Sequence, residues 1–281
     1  MDSNAAGVRE LRDVKTSGAK GMAVWDAWDV GQRKCALWRF PCRLIYLERV
    51  DVEWHALSLS GDGNEAGVSR GLIDRSAKAR SDEWRHYLLH ETTPVQPVPV
   101  MPDRALVVRP DRSLTLLAGE TARFFLDIPV WFRLETVGAR RVRIFEEPLR
   151  VLSNTWFGDP VNGELCYVLP TRLHQDRESL APSAWHAVCP LAVTNDSETD
   201  LAFERICLHV ENLAVFRGAR RLWTNRIDVV FRGTDQASNI QVAPGPPPDE
   251  EGLQPASPAR QPADSWDIRK TFSRIREFAE F

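Results

Sequence analysis

Two stretches of the sequence concentrate side chains that can do chemistry. The first, from Ser153 to Glu164, sets Ser153, Asn154, Thr155, Asp159, Asn162 and Glu164 around Trp156. Hydroxyls, amides and carboxylates beside an indole suit the lining of a pocket where loops converge. Asp159 and Glu164 also supply the two carboxylates that hydrolysis of a sugar requires. The same letters have a plainer reading, because Asp-Pro and Asn-Gly are what tight turns demand. The second stretch holds Arg220, Arg221, Trp223, Thr224, Asn225 and Arg226. Guanidinium groups next to an indole can grip an anion or an acidic partner, or can decorate a solvated hairpin. The expected ligand or partner surface is therefore Asn154, Trp156, Asp159, Glu164, Arg221, Trp223 and Asn225.

Other reactive residues carry less. His86 and His90 have the i, i+4 spacing of helical metal ligands, with Glu83 and Glu91 nearby, but the segment reads as a strand and offers no third ligand, so no metal is expected. Cys189 near His186, and Cys207 near His209, invite a thiol-nucleophile reading. That chemistry needs a base within reach and an oxyanion site, and a buried cysteine is otherwise a small hydrophobe. No P-loop and no HExxH motif is present. No catalytic residue and no cofactor is assigned.

A third candidate lies at the C-terminus. Ser265 can cap a helix over 266–281 in which Ile268, Phe272, Ile275 and Phe278 recur at three- and four-residue steps. A helix this short is marginal alone and must dock on a partner, on its own chain or on a second copy.

Positioning falls to strands. In ETARFFLDIPVWFRLE, from Glu120, the even positions Ala122, Phe124, Leu126, Ile128, Val130, Phe132 and Leu134 form one apolar ridge. That period of two belongs to a strand with one face in a core. Pro129 has no N–H for a ladder, so a bulge or a sheet edge is expected there. The same alternation recurs in 50–58, 206–210 and 227–231, with turn residues between, which predicts an all-β chain built as an antiparallel sandwich of two packed subdomains.

The expected organisation is a disordered 1–20, a β subdomain over 21–100 with a mobile loop near 61–82, a β-sandwich over 101–233, a Pro-rich disordered linker over 234–265 and the helix over 266–281. A cluster of prolines at Pro94, Pro97, Pro99 and Pro102 marks the boundary. At 281 residues and 43% hydrophobic the chain is long enough for such cores. A net charge of -3 argues against nucleic acid and against a polybasic membrane surface. No apolar run is long enough to span a bilayer and no secretory leader is evident. Five cysteines, an odd number without a CxxC pair, favour a reducing compartment, so a cytoplasmic location is expected.

Several pieces together resemble a bacterial and archaeal family, the domain of unknown function numbered four hundred and thirty-two. They are PDRALVVRP from Pro102, LLAGETARFFLDIPVWFRLE, EEPLRVLSNTWFGDPVNGELCYVLPTR, HAVCPLAVTNDSETDLAFERICLHVENLAVFRG and RLWTNRIDVVFRG, with LSNTWFG and RLWTN the most specific. The resemblance runs from about Trp84 to Gly233, more loosely over the Trp-rich beginning. It implies a β-rich fold, brings no catalytic residues, and implies an association with genes for small mechanosensitive channels, a contextual hint about partners.

The resulting expectation is a non-catalytic module that binds a protein partner, such as a membrane-channel component. The alternatives are a small-ligand or carbohydrate-binding sandwich with hydrolytic activity, and a self-assembling structural protein that forms homo-oligomers.

Overall fold

The computed structural model describes residues 19–61, 63, 67–73, 83–89, 94–138, 140–171, 173–233 and 238–261, and the backbone of 266–268. Over these residues the chain is all-β, and its only helical pieces are short 3-10 turns. It divides into two units: 1–99 with 131–150, and 100–130 with 151–281.

The first unit contains β1 (Cys35–Phe40), β2 (Arg43–Val50), β3 (Glu53–Ser60), β4 (Ser69–Ile73), β5 (Arg85–Leu88) and β6 (Val95–Val100), which ends at the first crossing. β10 (Trp131–Thr136) and β11 (Arg143–Pro148) complete it. Five strands form one sheet in the order β4-β1-β2-β3-β5, and β11-β10-β6 form another. The β2–β3 hairpin turns on Asp51 and Val52, with Asp51 at φ 55, a left-handed conformation that a short polar residue tolerates. The core is aromatic. Trp25, Trp38 and Phe40 surround Phe132, with ring centroids 5.9, 5.5 and 6.0 Å from it. Each such ring contributes about 1.5–3 kcal/mol by leaving water.

The second unit begins with β7 (Leu106–Pro110), β8 (Leu114–Leu116), β9 (Thr121–Pro129), β12 (Ser153–Phe157), β13 (Glu164–Thr171), β14 (His186–Asn195) and β15 (Leu201–Phe203). It ends with β16 (Ile206–Leu208), β17 (Val215–Arg217), β18 (Leu222–Thr224), β19 (Ile227–Phe231), β20 (Ser238–Val242), β21 (Gln254–Ser257) and β22 (Trp266–Ile268). One sheet runs β12-β13-β7-β16, and a larger one runs β21-β17-β18-β14-β19-β20-β22 with β9 also on β14. β15 and β8 form a separate pair. Most pairings are antiparallel, but β13–β7, β14–β18 and β14–β19 are parallel, so the expected purely antiparallel arrangement is corrected. Pro190 lies within β14 between the residues that pair with β18 and those that pair with β19. A residue without an N–H fits that gap in the ladder.

The apolar ridge is present: Phe124, Leu126, Ile128, Val130, Phe132 and Leu134 are all buried. It serves two cores rather than one. The strand breaks at Val130, after Pro129, and β9 and β10 fall in different sheets and different units. Residues 131–150 thus belong with the first unit, not with 101–233 as the sequence suggested.

Three further expectations change. The stretch 61–82 is not simply a loop, because β4 pairs with β1 through five residues of each strand. Arg70 within it is buried: its guanidinium lies 5.0 Å from the Trp28 ring and bonds the Asp26 carbonyl. The Pro-rich 234–265 is not merely a linker, since β20 pairs with β19 and β21 with β17. Among the described residues β21 is an edge strand, the position in a sheet where a proline such as Pro255 is tolerated. The helix expected over 266–281 does not start at 266, because the backbone of β22 pairs with β20. Phe272, Ile275 and Phe278, like the lead-in 1–18, lie outside the described residues.

Candidate functional site

The β12–β13 hairpin collects the first sequence candidate. Trp156 pairs with Leu165 and Asn154 with Tyr167, so alternation puts these four side chains on one face. That face is open: Trp156 is 50% exposed and Leu165 48%, and Val161 at the turn is 86% exposed. Among the described residues β12 is also a sheet edge, with a ladder on one side only.

The turn beneath is rigid. Asp159 Oδ1 accepts from the main-chain N–H of Val161 at 3.0 Å and of Asn162 at 2.8 Å, while its main-chain oxygen accepts the indole N–H of Trp156 at 3.0 Å. Asp159 is thus a turn residue. Beside the pair, the Tyr167 hydroxyl donates to Asp103 Oδ1 at 2.9 Å, and the Arg104 guanidinium lies 5.4 Å from the Tyr167 ring and 3.5 Å from Asn154 Oδ1.

The opposite face of β13 carries a different chemistry. Cys166 on β13 and Cys207 on β16 meet across β7, packed with Ala105, Val107 and Phe157. Their sulfurs are 3.8 Å apart, and Cys207 Sγ lies 3.6 Å from Glu164 Oε1. His209, just past β16, places Nε2 3.3 Å from the same Glu164 oxygen and Nδ1 3.0 Å from Glu211 Oε1. Burial alone lowers the basicity of His209, but hydrogen bonds to Glu164 and Glu211 outweigh it and push its pKa up to about 10. The same His209 bond holds the Glu164 carboxyl below its ordinary range. The Cys166 contact, burial and Glu164 all push the Cys207 thiol up. Without a cation to take the sulfur lone pair, Cys207 is a protonated thiol and a poor nucleophile. Cys189 is fully buried and pushed up to about 12 by desolvation, so it is equally inert.

The second sequence candidate is structural. Trp223 is fully buried, within the cluster of Leu180, Val188 and Phe216, and its indole N–H donates to Glu250 Oε2 at 2.9 Å. Asn225 is buried and braces two neighbouring segments with three bonds: it accepts from Ala214 N and donates to Ala243 O and Gly245 O. Arg221 donates to the carbonyls of Arg177 and Leu180. It also offsets, with His174, the burial that raises the pKa of Asp127. Trp223 and Asn225 are thus buried braces of the fold, and Arg221 ties the chain just before β18 to segment 177–180.

His86 stands on β5, so its spacing from His90, which lies outside the described residues, has no helical meaning. It faces His55 across the strand pair instead, 4.0 Å between ring centroids, with Glu53 Oε2 2.8 Å from His55 and 3.6 Å from His86. The letters GVSRG over Gly67–Gly71 spell the nucleophile-elbow pattern, which sequence reading missed. Ser69 there begins β4 and pairs with Arg39, so it is a ladder residue and not the apex of a strand-to-helix turn. Among the described residues no helix is long and apolar enough to cross a membrane.

No curated protein and no solved structure matches the chain. The model of one family, described as "Protein of unknown function (DUF432)", matches residues 24–276, which takes in both units and most of the tail. The chain belongs to that family.

Proposed function

We propose that the protein is a non-catalytic cytoplasmic binding module that presents the outer face of the β12–β13 hairpin to a protein partner. The observation that carries this reading is the exposed Trp156–Leu165 pair, held on a turn that Asp159 locks. Neighbouring exposed apolar residues on a rigid element mark interaction sites, and tryptophan is the residue most often found at their energetic centre. The edge strand β12 offers main-chain groups to which a partner's strand can add. A component of a small mechanosensitive channel is the partner class that the family resemblance implies.

The hydrolytic alternative is weaker. Asp159 Oδ1 is engaged by turn amides, and Glu164 Oε1 faces Cys207 and His209. A photocrosslinking amino acid placed at 156, in the cell that makes the protein, tests the binding reading. It should trap one protein, and Leu165→Asp should abolish that product while the melting curve stays unchanged. Equal crosslinking by the Asp variant, or no product above that of a probe at exposed Arg232, overturns it. A trapped second copy of this chain, accompanied by a larger particle in light scattering, identifies the surface as a self-assembly contact instead.

A further inference from the structure

The inner side of the same hairpin assembles four metal-ligating side chains whose spacing has a specific meaning. The ligand atoms of Glu164, Cys166 and Cys207 lie within 4.8 Å of one another. Zinc bonds of about 2.3 Å to sulfur and about 2.0–2.2 Å to oxygen or nitrogen, set at the tetrahedral angle, give edges of about 3.8 Å for S···S, about 3.6 Å for S···O and about 3.4 Å for N···O. The protein has 3.8 Å between Cys166 and Cys207, 3.6 Å between Cys207 and Glu164, and 3.3 Å between His209 and Glu164. A disulfide would require the sulfurs at about 2.05 Å. Each of these three distances matches one edge of such a tetrahedron; His209 stands outside the mutually close trio, joins it through Glu164, and would close its remaining edges on binding.

We propose that Glu164, Cys166, Cys207 and His209 bind a tetrahedral, thiophilic divalent cation, zinc being the best fit. Two sulfur donors, one imidazole and one carboxylate select against magnesium and calcium, which want all-oxygen shells. Glu211 completes the arrangement from behind. Its Oε1 takes the Nδ1–H of His209 at 3.0 Å, which leaves Nε2 to the cation, as carboxylates commonly do for metal-bound histidines. Each thiol releases its proton to solvent and donates the freed lone pair to the metal. Four protein ligands leave no open position, so the ion is structural: it ties β13 to β16 across β7. This inference does not depend on the partner-binding reading, which concerns the opposite face of β13.

The Glu53, His55 and His86 grouping in the first unit is a foil. It has no thiol, and His86 and Glu53 are open to solvent. The test uses the full-length protein, purified under reducing conditions, stripped with a chelator and titrated with cobalt(II). A thiolate-to-cobalt charge-transfer band with the intensified ligand-field bands of tetrahedral cobalt should saturate at a single equivalent, and zinc should bleach it. His86→Ala should keep the band, Cys166→Ser and Cys207→Ser should each cut it by roughly half or more, and the double variant should lose it. Glu211→Gln should weaken zinc binding roughly 10–100-fold while leaving the band's shape intact. A folded wild-type protein that takes up cobalt with no thiolate band, or takes up none, overturns the proposal without recourse to any variant.

Discussion

Gly163 lies against the indole of Trp156: a Cβ built there would stand 2.3 Å from Nε1, and 2.7 Å from the main-chain oxygens of both Asp159 and Phe157. The side chain could swing away, but two backbone oxygens cannot. The glycine is what allows the turn to fold under the ring. Gly163→Ala should therefore cost about 1–3 kcal/mol, as overpacking does, and should release Trp156 from its bond to Asp159. A lower melting temperature together with a shift in the quencher-accessible tryptophan emission, to which Trp156 contributes as the one exposed tryptophan among the described residues, checks this. An unchanged melting curve contradicts the placement of the ring.

The two tryptophans singled out in the sequence should behave in opposite ways. Trp156→Ala removes a half-exposed ring on a sheet edge with one indole hydrogen bond and should cost no more than about 1.5 kcal/mol. Trp223→Ala empties a fully buried site and strands Glu250, so a loss of about 3–5 kcal/mol is expected. Urea unfolding of both variants decides it. Equal losses would mean that the exposures of the two residues are misassigned.

Asp127 gives a pH signature. Burial raises its pKa, His174 and Arg221 counter only in part, and its Oδ1 makes no hydrogen bond with a described residue. A carboxyl raised in the folded state contributes stability that is full below its unfolded pKa, about 3.9, and is lost as pH climbs through the folded value. Asp127→Asn removes the buried charge. The variant should melt higher than the parent at pH 7, and the gap should close as pH falls towards about 4. A lower melting point for the variant at pH 7 would show that the pairing with Arg221 and His174 outweighs the burial.

What could be read from sequence followed from alternation. Phe124 through Leu134 was legible as an inward ridge because side-chain direction depends on local geometry alone, and the interruption at Pro129 followed from its missing N–H. The partners of those strands were not legible. Nothing in RALVVRP tells that β7 pairs in parallel with β13, or that β8 pairs with β15. The Cys166–Cys207 contact joins residues 41 positions apart through an intervening strand, so no motif announces it. Trp223 was misread because its arginine neighbours suggest a surface, whereas the strand itself lies inside the sheet. The tail was misread by composition: prolines signal a linker unless an edge strand is there to accept them.

The tail supplies the last prediction. A flexible leash could be removed at no cost, but β21 covers the edge of β17, Ser257 is buried, and Glu250 receives the indole N–H of buried Trp223. Arg260 adds two ties, its main-chain N–H donating to Glu211 O at 2.8 Å and its Nε to Met101 O at 2.6 Å. Each neutral hydrogen bond contributes about 0.5–1.5 kcal/mol and each charged one about 1.5–3 kcal/mol. Truncation after Gly233 removes these bonds together with the β19–β20 ladder and uncovers Phe216, so the losses add up to a large fraction of a domain's usual stability of about 5–15 kcal/mol. Truncation after Gln261 keeps every one of these bonds. The longer product should melt near the parent and the shorter one far below it or not fold, as scanning calorimetry of the pair will read. If the two melt alike, β20 and β21 do not contribute to the fold and the linker reading returns.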